Sequence, residues 1–340
     1  MALTMKWRSI AMIAALLASA GGAHAGRLED VQKRGTVRCG ILASSAGQSE
    51  LDDKGRWHGF SIDYCRGLAA AVFSDPAKVE FRPAPLPQLL TALKSGDLDV
   101  VAATLTRTMS REIELGYVFI GPTIYTGLTF MVPKEAKVST IKGLNGATIC
   151  LGTGSLAEEI VPQYMRTRKV TFTPLATSST QQTYSMYDSK RCDAVTGDRM
   201  TLEARRLDRP DPSGHIILSE TYGKSETGPV VRAGDVAWTN VTQYTHYAMV
   251  TAEELGVTQG NVDEMRTSTN TEVRRFIGLD GKLGSKLGLR DDFAAAVIKA
   301  VGNYSEVWDR SLGSQAPTKS PREVNKPVSE GGLLTAPLWR

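Results

Sequence analysis

The sequence predicts an α/β protein made of two similar lobes, and three observations support this. From residue 35 onward, short apolar segments alternate with segments of helical spacing, which is typical of parallel strands joined by crossover helices. The 32 glycines and the 7% aromatic content fit many short strand-to-helix connections. About 315 residues after the leader exceed the usual size of one core, and residues 133–229 restart the rhythm of the first hundred.

The first 25 residues have the features of an export signal. Lys6 and Arg8 precede a short apolar run at 10–20, and Ala23-His24-Ala25 is the small-x-small pattern that signal peptidases cut. The run is too short for a membrane span, which needs roughly 20 apolar residues. We therefore expect cleavage near Ala25, export to the periplasm and no membrane insertion of the mature chain.

The charge of the mature chain is nearly balanced. Without Lys6 and Arg8, the 40 basic residues become 38, against 36 acidic ones, which leaves a net charge of +2. No basic stripe interleaved with aromatic residues is present in the sequence. We therefore expect no nucleic-acid partner.

Four cysteines, Cys39, Cys65, Cys150 and Cys192, indicate disulfides, because an exported chain with an even number of cysteines usually pairs them. Three pairings are possible. The positions of the cysteines relative to the predicted strands and helices favour Cys39–Cys65 and Cys150–Cys192, which gives one disulfide in each half of the chain. Metal binding is the alternative, but there is no C-x-x-C spacing and the histidines do not cluster with the cysteines. We expect neither a metal nor a cofactor.

The elements follow in order along the chain. Apolar runs predict strands and helical spacing predicts helices, with an Asp/Gly-rich hairpin turn at 52–57. The first half reads strand 35–42, helix 59–72, strand 79–82, helix 88–94 and strand 98–103. A long strand at 125–132 precedes the second half, which reads strand 147–151, helix 156–167 with a kink at Pro162, strand 171–175, helix 180–187 and strand 192–198.

The remaining chain is predicted to return to the first lobe. A strand at 228–232 carries it back, and helices are expected at 238–255, 271–279, 292–301 and after Gly302, followed by an irregular, proline-containing segment at 314–332. The predicted division is 26–132 with 230–340 for lobe 1, and 133–229 for lobe 2.

Polar residues at strand ends supply candidate ligand contacts. Thr104 and Thr106 follow the apolar strand, and Arg111 offers a planar fork that matches a carboxylate. Ordinary turn and cap chemistry is the alternative interpretation. Asp198, at the tip of a later strand, either neutralises an α-amino group or caps the helix that follows.

The loop Thr153-Gly154-Ser155 precedes a helix, and free amides at a helix start bind anions. A plain glycine turn with a Ser155 cap is the alternative. The loop is no dinucleotide fingerprint, since Ala157 stands where the third glycine is needed, and it is no Walker loop, since no Gly-Lys-Ser/Thr follows.

These stretches together resemble the periplasmic solute-binding proteins of ATP-driven importers for general polar L-amino acids. The resemblance covers nearly the whole mature chain. It is carried by Asp-Asp-Lys-Gly at 52–55, Gly-Phe-Ser-Ile-Asp-Tyr-Cys-Arg at 59–66, residues 106–111, Phe-Met-Val-Pro-Lys at 130–134, Arg-Cys-Asp at 191–193, and residues 252–256, 261–265, 286–289, 302–304 and 331–333.

The resemblance implies a type II periplasmic binding fold, in which two lobes joined by two crossing strands close on one amino acid. It implies that Arg111 grips the α-carboxylate and that Asp198 takes the α-ammonium. It further implies that Thr104 and Thr106 contribute a hydroxyl or backbone group, and that Thr153, Gly154 and Ser155 face the carboxylate from the other side. The implied partners are an L-amino acid and a membrane permease, and the implied state is a monomer.

Some positions depart from the family pattern. The loop 44–49 lacks the aromatic residue that usually covers the ligand side chain and has Gln48 there instead. Residues near Ala103 and Thr104 are less polar than expected, and Gly154 replaces a threonine. These changes bear on side-chain specificity rather than on the zwitterion clamp.

Two other functions fit the same fold. A periplasmic dehydratase acting on prephenate or arogenate would need a general acid or base, for which only Asp198 and Glu112 are suitably placed in the sequence. The second alternative function is that of a binding protein which, with its ligand bound, is presented to a chemoreceptor or sensor kinase. We expect a non-enzymatic binding protein.

Overall fold

The computed structural model describes residues 26–340; the proposed export signal and the side chain of Thr104 lie outside the described part. The strands are β1 Val37–Ile41, β2 Glu50–Leu51, β3 Trp57–His58, β4 Val79–Pro83, β5 Val100–Thr106, β6 Tyr117–Phe119, β7 Ile124–Pro133, β8 Ala147–Gly152, β9 Phe172–Thr177, β10 Ala194–Asp198, β11 His215–Ile217 and β12 Gly223–Arg232.

The helices are α1 Arg27–Arg34, α2 Phe60–Phe73, α3 Leu86–Ser95, α4 Met109–Ile113, α5 Leu156–Thr167, α6 Thr180–Asp188, α7 Arg199–Leu207, α8 Val236–Glu254, α9 Thr271–Phe276, α10 Leu283–Lys286, α11 Phe293–Val301 and α12 Tyr304–Ser311. These bounds confirm the predicted alternation of strands and helices. The predicted helix at 271–279 is shorter, because Gly278 adopts a positive φ of 84° that ends it.

The strands form a mixed sheet that runs through both lobes, in the order β4-β1-β5-β12-β7-β10-β8-β9. β1 pairs in parallel with β4 and β5, and β8 pairs in parallel with β9 and β10. The predicted parallel pairing within each half is therefore confirmed.

Two long antiparallel strands, β7 and β12, cross between the lobes and pair with each other. β7 contributes Ile124 to the core of lobe 1 and Leu128 and Phe130 to the core of lobe 2. The two-lobe architecture with two crossing strands is thereby confirmed. The residue boundaries 26–132, 133–229 and 230–340 stay a prediction.

The C-terminal helices pack on lobe 1, as predicted. Its core includes Trp238 from α8, Phe293 from α11 and Trp308 from α12, and the side chain of Asp63 on α2 pairs with Arg310 on α12 at 2.8 Å. Within residues 26–340, no helix combines the length and apolar character needed to cross a bilayer.

Both predicted disulfides are present. Cys39 in β1 is bonded to Cys65 in α2, with 6.3 Å between their Cα atoms, and Cys150 in β8 is bonded to Cys192, with 5.6 Å. Each disulfide ties elements of one lobe together. Neither restricts the movement of one lobe relative to the other.

Candidate functional site

A cavity of about 350 Å³ lies between the lobes at the carboxyl ends of β5, β8 and β10; we call it the first cavity. Ligands of α/β proteins bind at this edge of the sheet, because the loops leaving the parallel strands meet there. Five residues proposed from the sequence line it: Thr106, Arg111, Thr153, Ser155 and Asp198.

Arg111 is the cation of the first cavity, and it is only 3% exposed. It lies on the short helix α4, whose start is capped by the Thr108 hydroxyl accepting from the Arg111 backbone N–H at 3.2 Å. Its Nη1 donates to the carbonyl oxygen of Thr106 at 2.7 Å, and its Nη2 donates to that of Gly154 at 3.0 Å. The guanidinium therefore bonds to both lobes.

A carboxylate already lies against this guanidinium. Nη2 of Arg111 also donates to Oε1 of Glu159 on α5 at 3.1 Å. Burial lowers the pKa of Arg111 from its ordinary value, and the Glu159 carboxylate opposes that shift. Nη2 of Arg111 therefore donates to a carboxylate oxygen in the position that it occupies.

Thr106 contributes a backbone carbonyl to Arg111 and a buried hydroxyl to β12. Its Oγ1 lies 2.7 Å from Oγ of Ser225, and this hydrogen bond ties the end of β5 to the crossing strand β12. Thr104 lies in β5, two residues before Thr106. A direct role of either residue in ligand binding stays a prediction.

The loop before α5 forms the opposite wall. Its amides have partners in this conformation: Thr153 N–H donates to the Thr177 carbonyl at 2.9 Å, and Gly154 N–H donates to Oε2 of Glu158 at 2.6 Å. Ser155 caps α5 by accepting from the Glu158 N–H at 3.3 Å. Gly154 itself does not line the cavity, and its positive φ of 74° explains the glycine.

Asp198 is the acid of the first cavity, and it also caps a helix. Its Oδ1 accepts from the backbone N–H groups of Met200 at 3.0 Å and Thr201 at 3.4 Å, while its Oδ2 is buried with no partner among the described residues. Burial raises the pKa of the Asp198 carboxyl to about 7, although the N–H groups of Thr201 and Met200 and the nearby Thr126 hydroxyl oppose the rise. An unpaired oxygen at this place can accept from an ammonium group.

Sequence reasoning missed the segment from the end of β9 into the first turns of α6. Thr177, Ser178, Ser179, Thr180 and Tyr184 line the first cavity. The run of four hydroxyl residues after a strand was the available signal, since it resembles the run at 104–108 on the other lobe. It places hydroxyl groups on the wall formed by lobe 2.

The position expected for a covering aromatic residue lies outside the first cavity. Gln48 is 5% exposed, accepts from the Ser61 hydroxyl at 3.1 Å and does not line the first cavity. The preceding residues 42–45 line it instead. Any effect of position 48 on specificity is therefore indirect.

Few of the residues considered as a general acid or base line the first cavity. Of the described histidines, His58, His215 and His246 do not line the first cavity. Glu112 is also outside it and pairs with Arg107 at 3.0 Å. In the described part of the chain, no group of three or more His, Cys, Asp and Glu side chains is arranged to hold a metal.

Comparison with known proteins gives consistent matches. A family model described as bacterial extracellular solute-binding proteins, family 3, matches residues 37–278. The general L-amino acid-binding periplasmic protein AapJ of Rhizobium johnstonii is 40% identical over 338 residues, covering 98% of this chain and 99% of that protein. The glutamate/glutamine/aspartate/asparagine-binding protein BztA of Rhodobacter capsulatus is 38% identical over 329 residues, covering 96% and 97%.

A solved structure is also similar. It is a periplasmic binding protein of an ABC transporter from Brucella ovis with glutathione bound, at 39% identity and a TM-score of 0.90. The match covers 93% of this chain and all of that one. The type II fold class that the sequence resemblance implied is thereby confirmed.

Proposed function

Because the chain belongs to the bacterial extracellular solute-binding proteins of family 3, we propose that it is the periplasmic subunit of an ATP-driven importer and binds a polar L-amino acid as its zwitterion. The ligand class follows the names of two relatives, which bind general L-amino acids and glutamate, glutamine, aspartate and asparagine. The partner is the membrane permease of the importer.

One observation carries this proposal: a buried guanidinium, and a carboxylate with one oxygen that has no hydrogen-bond partner among residues 26–340, belong to residues that line one cavity. We assign the α-carboxylate of the ligand to Arg111 and the α-ammonium to Asp198. Thr106, Thr153 and Ser155 line the same cavity, and contacts of the ligand with Thr104 and Gly154 are proposed from the family resemblance. Closure of the lobes excludes water, which strengthens both charged contacts.

The proposal includes release of the ligand unchanged, so the protein is not an enzyme. Asp198 is the acid available in the first cavity, and the proposed ammonium contact occupies it. Incubation with prephenate, arogenate and the bound amino acid, followed by mass analysis, tests this: any product would support the dehydratase alternative. Uptake that persists when the gene is deleted would support a purely sensory role.

Native mass spectrometry of the exported protein and a thermal-shift screen of the twenty L-amino acids test the ligand. A co-purifying polar amino acid, or a raised unfolding temperature with such ligands, is the expected result. The intact mass also tests cleavage after Ala25 and the proposed monomeric state. A screen without any shift would contradict the proposed ligand class.

A further inference from the structure

A second cavity, of about 750 Å³, adjoins the first one. The two share the lining residues Ser44, Thr180, Gln181 and Tyr184. The second cavity is otherwise lined by Ser185, Asp188, Ser189, Arg205 and Arg209. The zwitterion clamp proposed above does not use these residues, and the space exceeds what a single amino acid needs.

Arg205 brings a buried guanidinium to this cavity, since it is 8% exposed. Its Nη1 donates to Asp208 at 2.9 Å, and its Nη2 donates to the Ser44 hydroxyl of the other lobe at 2.9 Å. Its Nε is buried with no partner among the described residues. A buried donor without an acceptor is costly, so the site favours a ligand that supplies one.

Arg209 adds a second guanidinium beside the first. It donates from Nε to the Arg205 carbonyl at 3.0 Å and pairs with Asp188 through Nη1. The guanidinium carbons of Arg205 and Arg209 lie 5.7 and 5.0 Å from the ring centre of Tyr184, which lines both cavities. Arg205 and Arg209 are thus both positioned against the ring of Tyr184.

One acidic partner of these arginines, Asp188, lines the second cavity, whereas Asp208 does not. The side chains of Asp188 and Asp208 are both 42% exposed, so water screens their pairing. The whole side chains of Arg205 and Arg209 are by contrast about 90% buried. A carboxylate entering the cavity would leave water and meet donors that are already desolvated, which favours charge-assisted hydrogen bonds.

The spacing along one helix defines the length of a matching ligand. Asp198 caps α7, and Arg205 follows seven residues later on the same helix. Seven residues are close to two turns, so both lie on one face about 10 Å apart along the axis. Thr201, between them on that face, lines the first cavity. An extended chain of tripeptide length spans about 10 Å, which a single amino acid does not reach.

We propose that the second cavity binds the distal carboxylate of an elongated ligand whose amino-acid head occupies the first cavity, and that Arg205 selects for that carboxylate. The ligand class is a small peptide with a free α-amino-acid group at one end and a carboxylate at the other. This inference rests on the proposed function, since Arg111 and Asp198 must hold the head group. The glutathione bound to the similar Brucella ovis protein has this chemistry.

Calorimetric titration with three ligands tests the inference: L-glutamine, glutathione, and glutathione esterified at its glycyl carboxylate. We expect glutathione to bind the wild-type protein and the ester to bind about tenfold more weakly. In the Arg205→Gln variant, the ratio of glutathione affinity to L-glutamine affinity should fall about tenfold. Arg206→Gln is the matched control, because Arg206 is the next residue of α7 and lines neither cavity.

The outcomes separate this inference from the proposed function. Binding of L-glutamine without binding of glutathione overturns the inference and leaves the proposed function standing. Equal affinity for glutathione and its ester, or an unchanged affinity ratio in Arg205→Gln, also overturns it. Binding of none of these ligands or of the twenty L-amino acids contradicts both. Thermal unfolding of each variant verifies that it is folded.

Discussion

Arg111 and Glu159 pair across the cleft, with 3.1 Å between Nη2 and Oε1. The arginine follows β5 of lobe 1, and the glutamate lies in the first turns of α5 of lobe 2. The arginine side chain is 4% exposed and the glutamate side chain 46%. The half-exposed carboxylate of Glu159 therefore contacts the Arg111 guanidinium, which we propose as the binding partner of the ligand carboxylate.

The pairing predicts that Glu159→Gln tightens binding of the amino acid. A ligand carboxylate competes with Glu159 for the same donor, and a half-exposed ion pair contributes roughly 0.2–1 kcal/mol, so the dissociation constant should fall by up to about fivefold. Calorimetric titration measures this change. Glu135→Gln is the control, because Glu135 is an exposed glutamate whose ion pair is with Lys190, at 3.0 Å, rather than with Arg111. Weaker binding in Glu159→Gln would show that Glu159 supports the ligand.

Removal of the guanidinium should abolish most of the affinity. In Arg111→Ala the ligand carboxylate would be buried without its partner, which costs about 2–5 kcal/mol of binding free energy. Arg111→Lys keeps the charge but loses the planar fork, so it should recover only part of that loss. Titration at fixed pH measures both variants. Near-normal affinity in Arg111→Ala would remove this residue from the site.

The raised pKa of Asp198 predicts how ligand binding depends on pH. Its carboxyl has a pKa of about 7 in the ligand-free protein because it is buried. An ammonium group binds the ionised carboxylate, so each pH unit below 7 should weaken binding by about tenfold until the pKa in the complex is reached. Titrations between pH 5 and 8 measure this slope. Asp198→Asn should bind about 2–5 kcal/mol more weakly at pH 8 and lose the slope.

The same shift affects folding, with the opposite trend. Between its ordinary pKa of 3.8 and about 7, Asp198 is protonated in the folded protein but ionised in the unfolded chain. The folded state therefore gains stability from this residue below about pH 4, and that contribution is lost as the pH rises through 7. Urea unfolding of the ligand-free protein against pH, compared with Asp198→Asn, measures it. Equal pH profiles for the two proteins would contradict the raised pKa.

The disulfide of lobe 2 should carry much of that lobe's stability. Cys150 and Cys192 are 42 residues apart and join β8 to the segment just before β10. Changing both to Ala should cost about 2–4 kcal/mol of unfolding free energy, because the unfolded chain regains the freedom of a long loop. Urea unfolding measures the loss, and dithiothreitol should lower the wild-type midpoint in the same direction. No change in either experiment would contradict a stabilising role.

The sequence by itself determined most strands and helices, and it indicated the strand ends at which the proposed ligand-binding residues lie. Apolar runs and helical spacing are local properties, so β5, β8, β10 and the helix α5 after β8 were readable without coordinates. Arg111 and Asp198 could be proposed together because each follows or ends an apolar strand and the family resemblance implied a clamp for a zwitterion. The three-residue strands β6 and β11 were missed, since so short a segment carries no periodicity.

The tertiary structure alone decided which groups meet across the cleft. The contacts of Arg111 with Glu159, and of Arg205 with Ser44, join residues 48 and 161 positions apart in the chain. Closure of the two lobes creates them, and no local pattern encodes where one lobe will touch the other. Asp198 acquired its raised pKa in the same way, because desolvation depends on everything packed around the carboxyl rather than on its neighbours in sequence.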